Sequence, residues 1–155
     1  MAGKIDARLK ELGLTLPSAP APAANYVPFV RSGTLVAIAG QLPIDNGELK
    51  YAGLVTQGVS VDDAYAAAKT CGLNLIAQAR AAADGDLDRV RRVIQLQGFV
   101  AGPPTFVEQP KVLNGASDLM VAVFGDAGKH TRLAVGAASL PRNATVEICA
   151  LFEIA

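Results

Sequence analysis

Two charged side chains stand within otherwise apolar stretches of this sequence, and both could carry chemistry. The first, Arg132, lies in residues 131–138, where strand alternation turns it away from Leu133 and Val135. A guanidinium group can hold a planar carboxylate through two parallel hydrogen bonds. The alternative is a surface arginine or an ion pair at a subunit interface, where arginine is common.

The second charged side chain, Glu147, interrupts the apolar residues 146–152. A lone carboxylate in such a strand needs a partner, because an unpaired charge is costly to bury. The other interpretation is an exposed or interfacial salt bridge, since strands often carry glutamate on a face in contact with water. The pattern alone leaves both interpretations open.

Other residue types that often catalyse reactions lack suitable neighbours in the sequence. His130 is the only histidine, and no Ser-His-Asp arrangement is recognisable, which favours a structural or rim role over a general base. Cys71 and Cys149 are far apart and show no metal-ligand spacing, so we expect small buried hydrophobic side chains. We therefore expect no metal site.

Composition limits the class of protein. The 155 residues carry 14 Lys and Arg against 14 Asp and Glu, and 51% of them are hydrophobic. This content predicts one core and one domain over residues 1–155. A chain without net charge has no field that attracts nucleic acid or anionic membranes. No export signal or membrane-spanning stretch is recognisable, so we expect a cytoplasmic protein.

Hydrophobic periodicity predicts the elements that position these side chains. Residues 1–24 combine a short amphipathic helix with a lead-in rich in proline and alanine. Runs rich in strand-forming residues predict strands at residues 26–31, 34–39, 90–100, 131–138 and 144–154, with a period of two in residues 90–100. Helical periods cover residues 61–84 and 111–124. The order helix, ββ, α, β, α, ββ predicts an α+β fold with helices on one face of a sheet.

Two segments carry more detailed expectations. In the strand at residues 90–100, alternation places Ile94, Leu96 and Val100 on one side and Gln95, Gln97 and Phe99 on the other. An uncharged polar face suits contact with a neighbouring subunit better than open water. Residues 41–57, with the turn signal Asn46-Gly47, predict a loop with one short strand at most.

Four stretches together resemble the RidA/YjgF family: residues 25–28 (Asn-Tyr-Val-Pro), 39–43 (Ala-Gly-Gln-Leu-Pro), 112–118 (Val-Leu-Asn-Gly-Ala-Ser-Asp) and 132–148. Their order and separations make the joint match specific, and they extend over nearly the whole domain after the first helix. The resemblance implies a chorismate-mutase-like fold, a mixed sheet with two helices on one face and an added N-terminal helix. It also implies a homotrimer with clefts at subunit interfaces, each lined by residues from two chains.

The resemblance also implies roles for individual residues. Arg132 corresponds to the family arginine that grips the substrate carboxylate. Glu147 corresponds to the glutamate that orients or deprotonates the attacking water. Tyr26 corresponds to a tyrosine at the mouth of the cleft, Gly40 to a glycine whose backbone lies close to the ligand, and Asn114 approximates an asparagine near the cleft.

Two positions depart from the short deaminases of the family. Ala39, which lies in the cleft wall beside Gly40, stands where those proteins have a serine, and Ala134 stands where they often have a cysteine. A hydroxyl and a thiol are therefore missing. Neither group is the implied activator of water, so the departures affect how substrate fits.

The activity implied by the resemblance is hydrolysis of a 2-imino acid, or its enamine tautomer, to a 2-keto acid and ammonia, without metal or organic cofactor. The alternative is a binding module that captures a small carboxylate metabolite without turning it over. The family has also been labelled ribonuclease and translation inhibitor. The neutral charge and scattered basic residues argue against a nucleic-acid partner.

Overall fold

A five-stranded sheet dominates the computed structural model, which describes residues 3–155. In chain order the elements are α1 (Lys4–Glu11), β1 (Phe29–Ser32), β2 (Leu35–Gln41), β3 (Ile44–Asp45), β4 (Glu48–Leu49), β5 (Leu54–Val55), β6 (Gly58–Val59), α2 (Val61–Ala82), β7 (Val90–Ala101), α3 (Gln109–Phe124), β8 (Thr131–Ala137) and β9 (Val146–Ile154). The strand order is β1-β2-β9-β7-β8, and only the pair β7 and β8 is parallel. The predicted α+β class and mixed sheet are confirmed.

Helices α2 and α3 pack together against one face of this sheet. The N-terminus of α2 is capped by Ser60, whose Oγ accepts a hydrogen bond from the backbone N–H of Asp63 at 3.0 Å. Buried side chains of both helices and of the facing strands form one hydrophobic core, with Leu75, Leu113 and Phe152 fully buried. The predicted pair of helices on one face is confirmed.

The short helix α1 is attached to this helical layer through its polar groups. The carboxylate of Asp88 accepts the backbone N–H groups of Lys4 and Ile5, both at 2.8 Å, and these bonds hold the pKa of Asp88 below its ordinary value. Arg8 Nε donates to the carbonyl of Ala122 near the end of α3 at 2.9 Å. The predicted N-terminal helix is confirmed, although residues 1 and 2 of that prediction lie outside the described residues.

Strand β7 corrects one prediction. Ile94 is only half-buried, whereas Val93 is fully buried on the helix side. The register of β7 against β9 shifts between Val90 and Arg92 and again between Val93 and Gln95. Each irregularity offsets the alternation by one residue, so placing Ile94 on the core side was wrong.

Residues 41–57 contain more strand than the single short one predicted. The two-residue strands β3 and β4 pair antiparallel around Asn46-Gly47, whose φ angles of 49° and 79° suit a tight hairpin turn. Strands β5 and β6 form a second, parallel pair. The turn at Asn46-Gly47 is confirmed, but pairs this short leave no periodicity to recognise in the sequence.

The face of the sheet opposite α2 and α3 has no helix over it among residues 3–155. Apolar side chains are accordingly exposed there: Val30 is 57% exposed, Leu35 44% and Leu133 45%. Gln95 and Gln97 are half-buried on the same face. We call this surface the open sheet face.

Close approach of α2 and α3 depends on Gly115. A Cβ there would overlap the carbonyl oxygen of Tyr65 in the facing helix backbone. In most helices Gly→Ala stabilises by about 1 kcal/mol. We expect Gly115→Ala to lower the free energy of unfolding by about 1–3 kcal/mol instead, because backbone cannot move aside as a side chain can.

Denaturant unfolding measures this effect, and Gly72→Ala in α2 is its matched control. At Gly72 the nearest atom is Leu119 Cδ2 at 2.9 Å, the end of a flexible side chain. We expect the control to change the free energy of unfolding by less than about 1 kcal/mol. Equal effects of the two substitutions would show that the helices do not depend on this contact.

Candidate functional site

Arg132 lies on the edge strand β8 and points toward α3. Its register partner on β7 is the buried Leu96, which faces the helices. Arg132 Nη1 donates to Asn114 Oδ1 at 2.8 Å and to Ser117 Oγ at 3.2 Å. Both hydrogens of Nη1 are thereby used, while Nε and Nη2 donate to no acceptor within residues 3–155. Nε and Nη2 form one edge of the guanidinium group, and this edge has the geometry that binds a carboxylate through two parallel hydrogen bonds.

His130 completes what we call the arginine cluster: Asn114, Ser117, His130 and Arg132. The imidazole Nε2 lies 2.9 Å from Ser117 Oγ, and Nδ1 lies 2.6 Å from the carbonyl oxygen of Gly128. The structure thus brings together Arg132 and Asn114, two of the site residues that the family resemblance implies. It also brings in Ser117, which sequence reasoning missed although it lies three residues after Asn114 and so shares its helix face.

Glu147 lies on the other side of the sheet. Its register partner is Phe99 of β7, and both side chains project from the open sheet face. The carboxylate is half-buried and has no hydrogen-bond or ion-pair partner among the described residues, and this burial raises its pKa above the ordinary value. It lines a cavity of about 300 Å³ with Gly40, Phe99, Leu140 and Cys149.

An irregularity in β2 at Ala39 and Gly40 lies beside this cavity, which Gly40 lines. From Ile38 to Gln41 the chain of β2 advances by three residues, whereas their partners on β9, Ala150 and Ile148, are only two residues apart. One extra residue is therefore accommodated, as in a β-bulge, a feature that commonly re-aims backbone near binding sites. A Cβ on Gly40 would overlap the Glu147 carboxylate, so any larger residue at position 40 would require this side chain to move.

Tyr26 also lies near Gly40, although not in a strand. Strand β1 begins at Phe29, so the prediction of a strand from residue 26 was wrong by three residues. Pro28, which has no backbone N–H, precedes the strand and accepts the N–H of Ala39 at 2.9 Å. Tyr26 is 48% exposed and lines a hollow with Gly40 and Arg142.

Gly40 connects the residues that we call the glutamate cluster: Tyr26, Ala39, Gly40 and Glu147.

The two clusters lie on opposite faces of one sheet. Arg132 is level with Leu96 on β7, whereas Glu147 is level with Phe99 and two strands away from β8. Standard strand spacings put their backbones on the order of 14 Å apart, before the thickness of the sheet is counted. One chain therefore cannot hold one small ligand with both Arg132 and Glu147.

The cysteines behave differently from each other. Cys71 is fully buried, which confirms the expected small hydrophobic side chain, and burial raises the pKa of its thiol well above the ordinary value. Cys149 is only half-buried because it lies on the open sheet face, where it lines the cavity beside Glu147. The expectation of burial was therefore wrong for Cys149. Burial also raises its pKa, which disfavours the reactive thiolate.

Within residues 3–155, no group of three His, Cys, Asp or Glu side chains is placed to hold a metal ion. No helix in the same range has both the length and the apolar character needed to cross a membrane.

A sheet of this order, with two helices on one face, defines a chorismate-mutase-like protein. Residues 6–154 match the family described as "YjgF/chorismate mutase-like, putative endoribonuclease". The chain belongs to this family, the RidA/YjgF family.

Three relatives are similar over nearly the whole chain. Protein TCP17 of Trypanosoma cruzi is 46% identical over 154 residues, 99% of this chain and 96% of that protein. The crystal structure of Atu1372 from Agrobacterium tumefaciens, a protein of unknown function, is 54% identical with a TM-score of 0.91, covering 97% of this chain and 92% of that chain. A "putative endoribonuclease" from Shewanella oneidensis is 34% identical with a TM-score of 0.94, covering 98% and 100%.

Proposed function

We propose that this protein hydrolyses 2-imino acids to 2-keto acids and ammonia at a site shared between two copies of the chain. The observation that carries the proposal is the arginine whose Nη1 is held by Asn114 and Ser117 while its Nε–Nη2 edge stays open. A planar carboxylate fits that edge. The glutamate cluster of a second copy would then face the same ligand.

The exposed apolar side chains of the open sheet face support this arrangement. Exposed Leu133 and Leu35 form part of an apolar surface that a single chain leaves in contact with water. A second copy packed there, in the homotrimer that the family resemblance implies, would bury this surface and enclose the cavity at Glu147. Because Arg132 lies on the edge strand β8, an interface that includes this edge would bring Arg132 of one copy beside Glu147 of the other.

The proposed chemistry needs only one acid–base group. The substrate carboxylate binds Arg132, which holds the imine carbon near Glu147 of the neighbouring copy. The Glu147 carboxylate takes a proton from water as the oxygen attacks the imine carbon, giving a carbinolamine. With the imine in its protonated form, this carbinolamine is neutral, and the same group returns the proton to nitrogen. As the C–N bond breaks, the carboxylate takes the proton of the carbinolamine hydroxyl, which becomes the keto oxygen. Ammonia leaves and carries this proton away as ammonium, with the keto acid as second product.

Burial of Glu147 suits this role. A general base works best when its pKa lies near the working pH, and burial moves the pKa of Glu147 in that direction. Imines already hydrolyse in water, so the catalytic demand on the protein is modest. Two positioned groups, without metal or organic cofactor, are then sufficient.

The second candidate function is capture of a small carboxylate metabolite without turnover. The arginine cluster is complete within one chain, whereas Glu147 lies on the opposite face. Arg132 could therefore bind a carboxylate even where no neighbour supplies a base. Retained binding without ammonia release, unaffected by Glu147→Gln, would favour this function.

An RNA-cleaving function, which the name of the Shewanella relative mentions, has less support in this chain. Half of the basic side chains form ion pairs with nearby carboxylates: Arg8, Lys50, Arg80, Arg89, Arg91, Lys111 and Lys129. Such pairs leave little positive field along which a phosphate backbone could bind.

The proposal is tested by ammonia and keto-acid release from freshly generated 2-iminobutanoate and bulkier 2-imino acids. We expect the wild-type protein to accelerate both. Arg132→Ala should lower kcat/KM by on the order of 100-fold, because two charge-assisted hydrogen bonds are lost. Arg132→Lys should restore only part of it, since an ammonium group lacks the planar fork.

The control is Arg92→Ala, which removes an exposed arginine of β7 that lies outside both clusters. We expect it to leave kcat/KM within about twofold of wild type, since exposed surface substitutions rarely matter. No acceleration by a folded, assembled wild-type protein would contradict the deaminase proposal. Binding of 2-ketobutanoate by that inactive protein would then support the capture function.

A further inference from the structure

We infer that Ser117 and His130 are positioning residues that hold the guanidinium of Arg132 with its carboxylate-binding edge outward, a role that rests on the proposed function. The first evidence is the direction of each hydrogen bond. The Gly128 carbonyl can only accept, so His130 Nδ1, 2.6 Å away, carries a proton. In the neutral imidazole Nε2 is then an acceptor, and the Ser117 hydroxyl donates a hydrogen bond to it at 2.9 Å.

The chain of hydrogen bonds continues to the arginine. With its proton on the His130 side, Ser117 Oγ presents a lone pair to Arg132 Nη1 at 3.2 Å. Asn114 Oδ1 accepts the other Nη1 hydrogen at 2.8 Å. Every donor in the series has one acceptor, and the series ends on a backbone carbonyl. Replacing either Ser117 or His130 with an apolar residue breaks it.

Rigid backbone holds the far end of this series. Gly128 ends the 3₁₀ turn Gly125–Gly128, which connects α3 to β8. A Cβ on Gly128 would overlap the carbonyl of Met120, so the turn packs directly against the last turns of α3. The Gly128 carbonyl is therefore fixed relative to Ser117, and His130 bridges the two.

The two hydrogen bonds that Arg132 Nη1 donates affect how the arginine binds a ligand. An arginine side chain has many rotamers, and a ligand that fixes the guanidinium must remove part of this freedom. Two acceptors on one terminal nitrogen restrict rotation of the guanidinium plane before ligand arrives. Loss of one acceptor should weaken capture of the carboxylate more than it slows the proton transfers at Glu147.

Paired variants test this role. Ser117→Ala and His130→Leu should raise KM for 2-iminobutanoate, and Kd for 2-ketobutanoate measured by titration calorimetry, by about three- to tenfold, while kcat changes less than about twofold. Ser117→Thr keeps the hydroxyl, and His130→Gln supplies an amide oxygen that can accept from it. Both should stay within about threefold of wild type. Thermal unfolding of each variant separates loss of positioning from loss of fold.

A spectroscopic measurement tests the hydrogen bonds without relying on activity. His130 is the only histidine, so its ring ¹⁵N signals need no assignment. We expect the Nδ1–H tautomer in the wild type and a shifted Nε2 signal in Ser117→Ala. An Nε2–H tautomer in the wild type would overturn the inference.

The kinetic and binding measurements distinguish failure of the positioning role from failure of the proposed function. A wild type that binds or turns over ligand, with KM and Kd unchanged in Ser117→Ala, overturns the positioning role alone. A wild type that neither binds 2-ketobutanoate nor hydrolyses the imine overturns the proposed function, and the role of Ser117 and His130 in it as well.

Discussion

Glu147→Gln is expected to lower kcat for imine hydrolysis by on the order of 10²- to 10⁴-fold, the usual contribution of a positioned acid–base group. The amide has nearly the shape of the carboxylate but cannot take a proton from water. It should leave Kd for 2-ketobutanoate nearly unchanged, because Arg132 holds the carboxylate. Ammonia release at saturating imine, together with titration calorimetry, measures the two effects separately.

The pH dependence of the wild type provides a second check on Glu147. The base must be deprotonated to act, and burial raises its pKa above the ordinary 4.5. Activity should therefore be lost as pH falls through a midpoint above that value. A profile whose midpoint lies at or below the ordinary glutamate value would show that this carboxylate does not supply the base.

As pH rises, the contribution of Glu147 to the stability of the fold should fall while the activity rises. Because the folded-state pKa of Glu147 is raised, the folded protein holds this proton more tightly than the unfolded chain does. Its contribution to stability is therefore present at low pH and is lost as pH rises through the folded pKa. At neutral pH Glu147→Gln should unfold at the same temperature as the wild type or higher. The reason is that no hydrogen-bond or ion-pair partner among residues 3–155 stabilises the charge of Glu147.

Glu153→Gln is the matched control for Glu147→Gln. Glu153 lies on the same strand and, by alternation, on the same face, but it is paired with Arg91 at 3.8 Å. We expect this control to leave kcat within about twofold of wild type, as is usual for surface substitutions. Equal losses in both variants would point to a general effect of charge on this face and against a specific base.

Much of this architecture could be predicted because it depends on local patterns. Runs rich in strand-forming residues located the five long strands, and helical periods located α2 and α3. A carboxylate inside an apolar strand and an arginine in another identified Glu147 and Arg132 as unusual. Asn114 was identified through the family resemblance, whereas Ser117 was missed although the spacing of the two residues puts them on one helix face.

What could not be predicted depends on contacts between distant segments. The shifts of register at Val93 and at Ala39–Gly40 arise from pairing with β9, so alternation within β7 or β2 alone could not reveal them. The link from Ser117 to His130 requires knowledge of how the turn after α3 folds back. The sequence pattern likewise could not show that Arg132 and Glu147 project from opposite faces, because that depends on the registers of three strands.

Mixing two inactive chains should restore a large part of the lost activity. Arg132→Ala retains an intact glutamate cluster, and Glu147→Gln retains an intact arginine cluster. Since the clusters lie on opposite faces of one sheet, a working site in this proposal takes one from each of two copies. After subunits exchange in an equal mixture, about a quarter of the interfaces should contain both intact clusters, and activity should rise from near zero to about a quarter of wild type.

The measurement is ammonia release before and after subunit exchange, with exchange followed by native mass spectrometry. A control mixture pairs Glu147→Gln with the double variant Arg132→Ala/Glu147→Gln, in which no interface can contain an intact Glu147. It should remain inactive after exchange. Full exchange without recovery in the first mixture would mean that Arg132 and Glu147 do not act on one ligand, and the arginine cluster would then be explained better as a binding site complete within each chain.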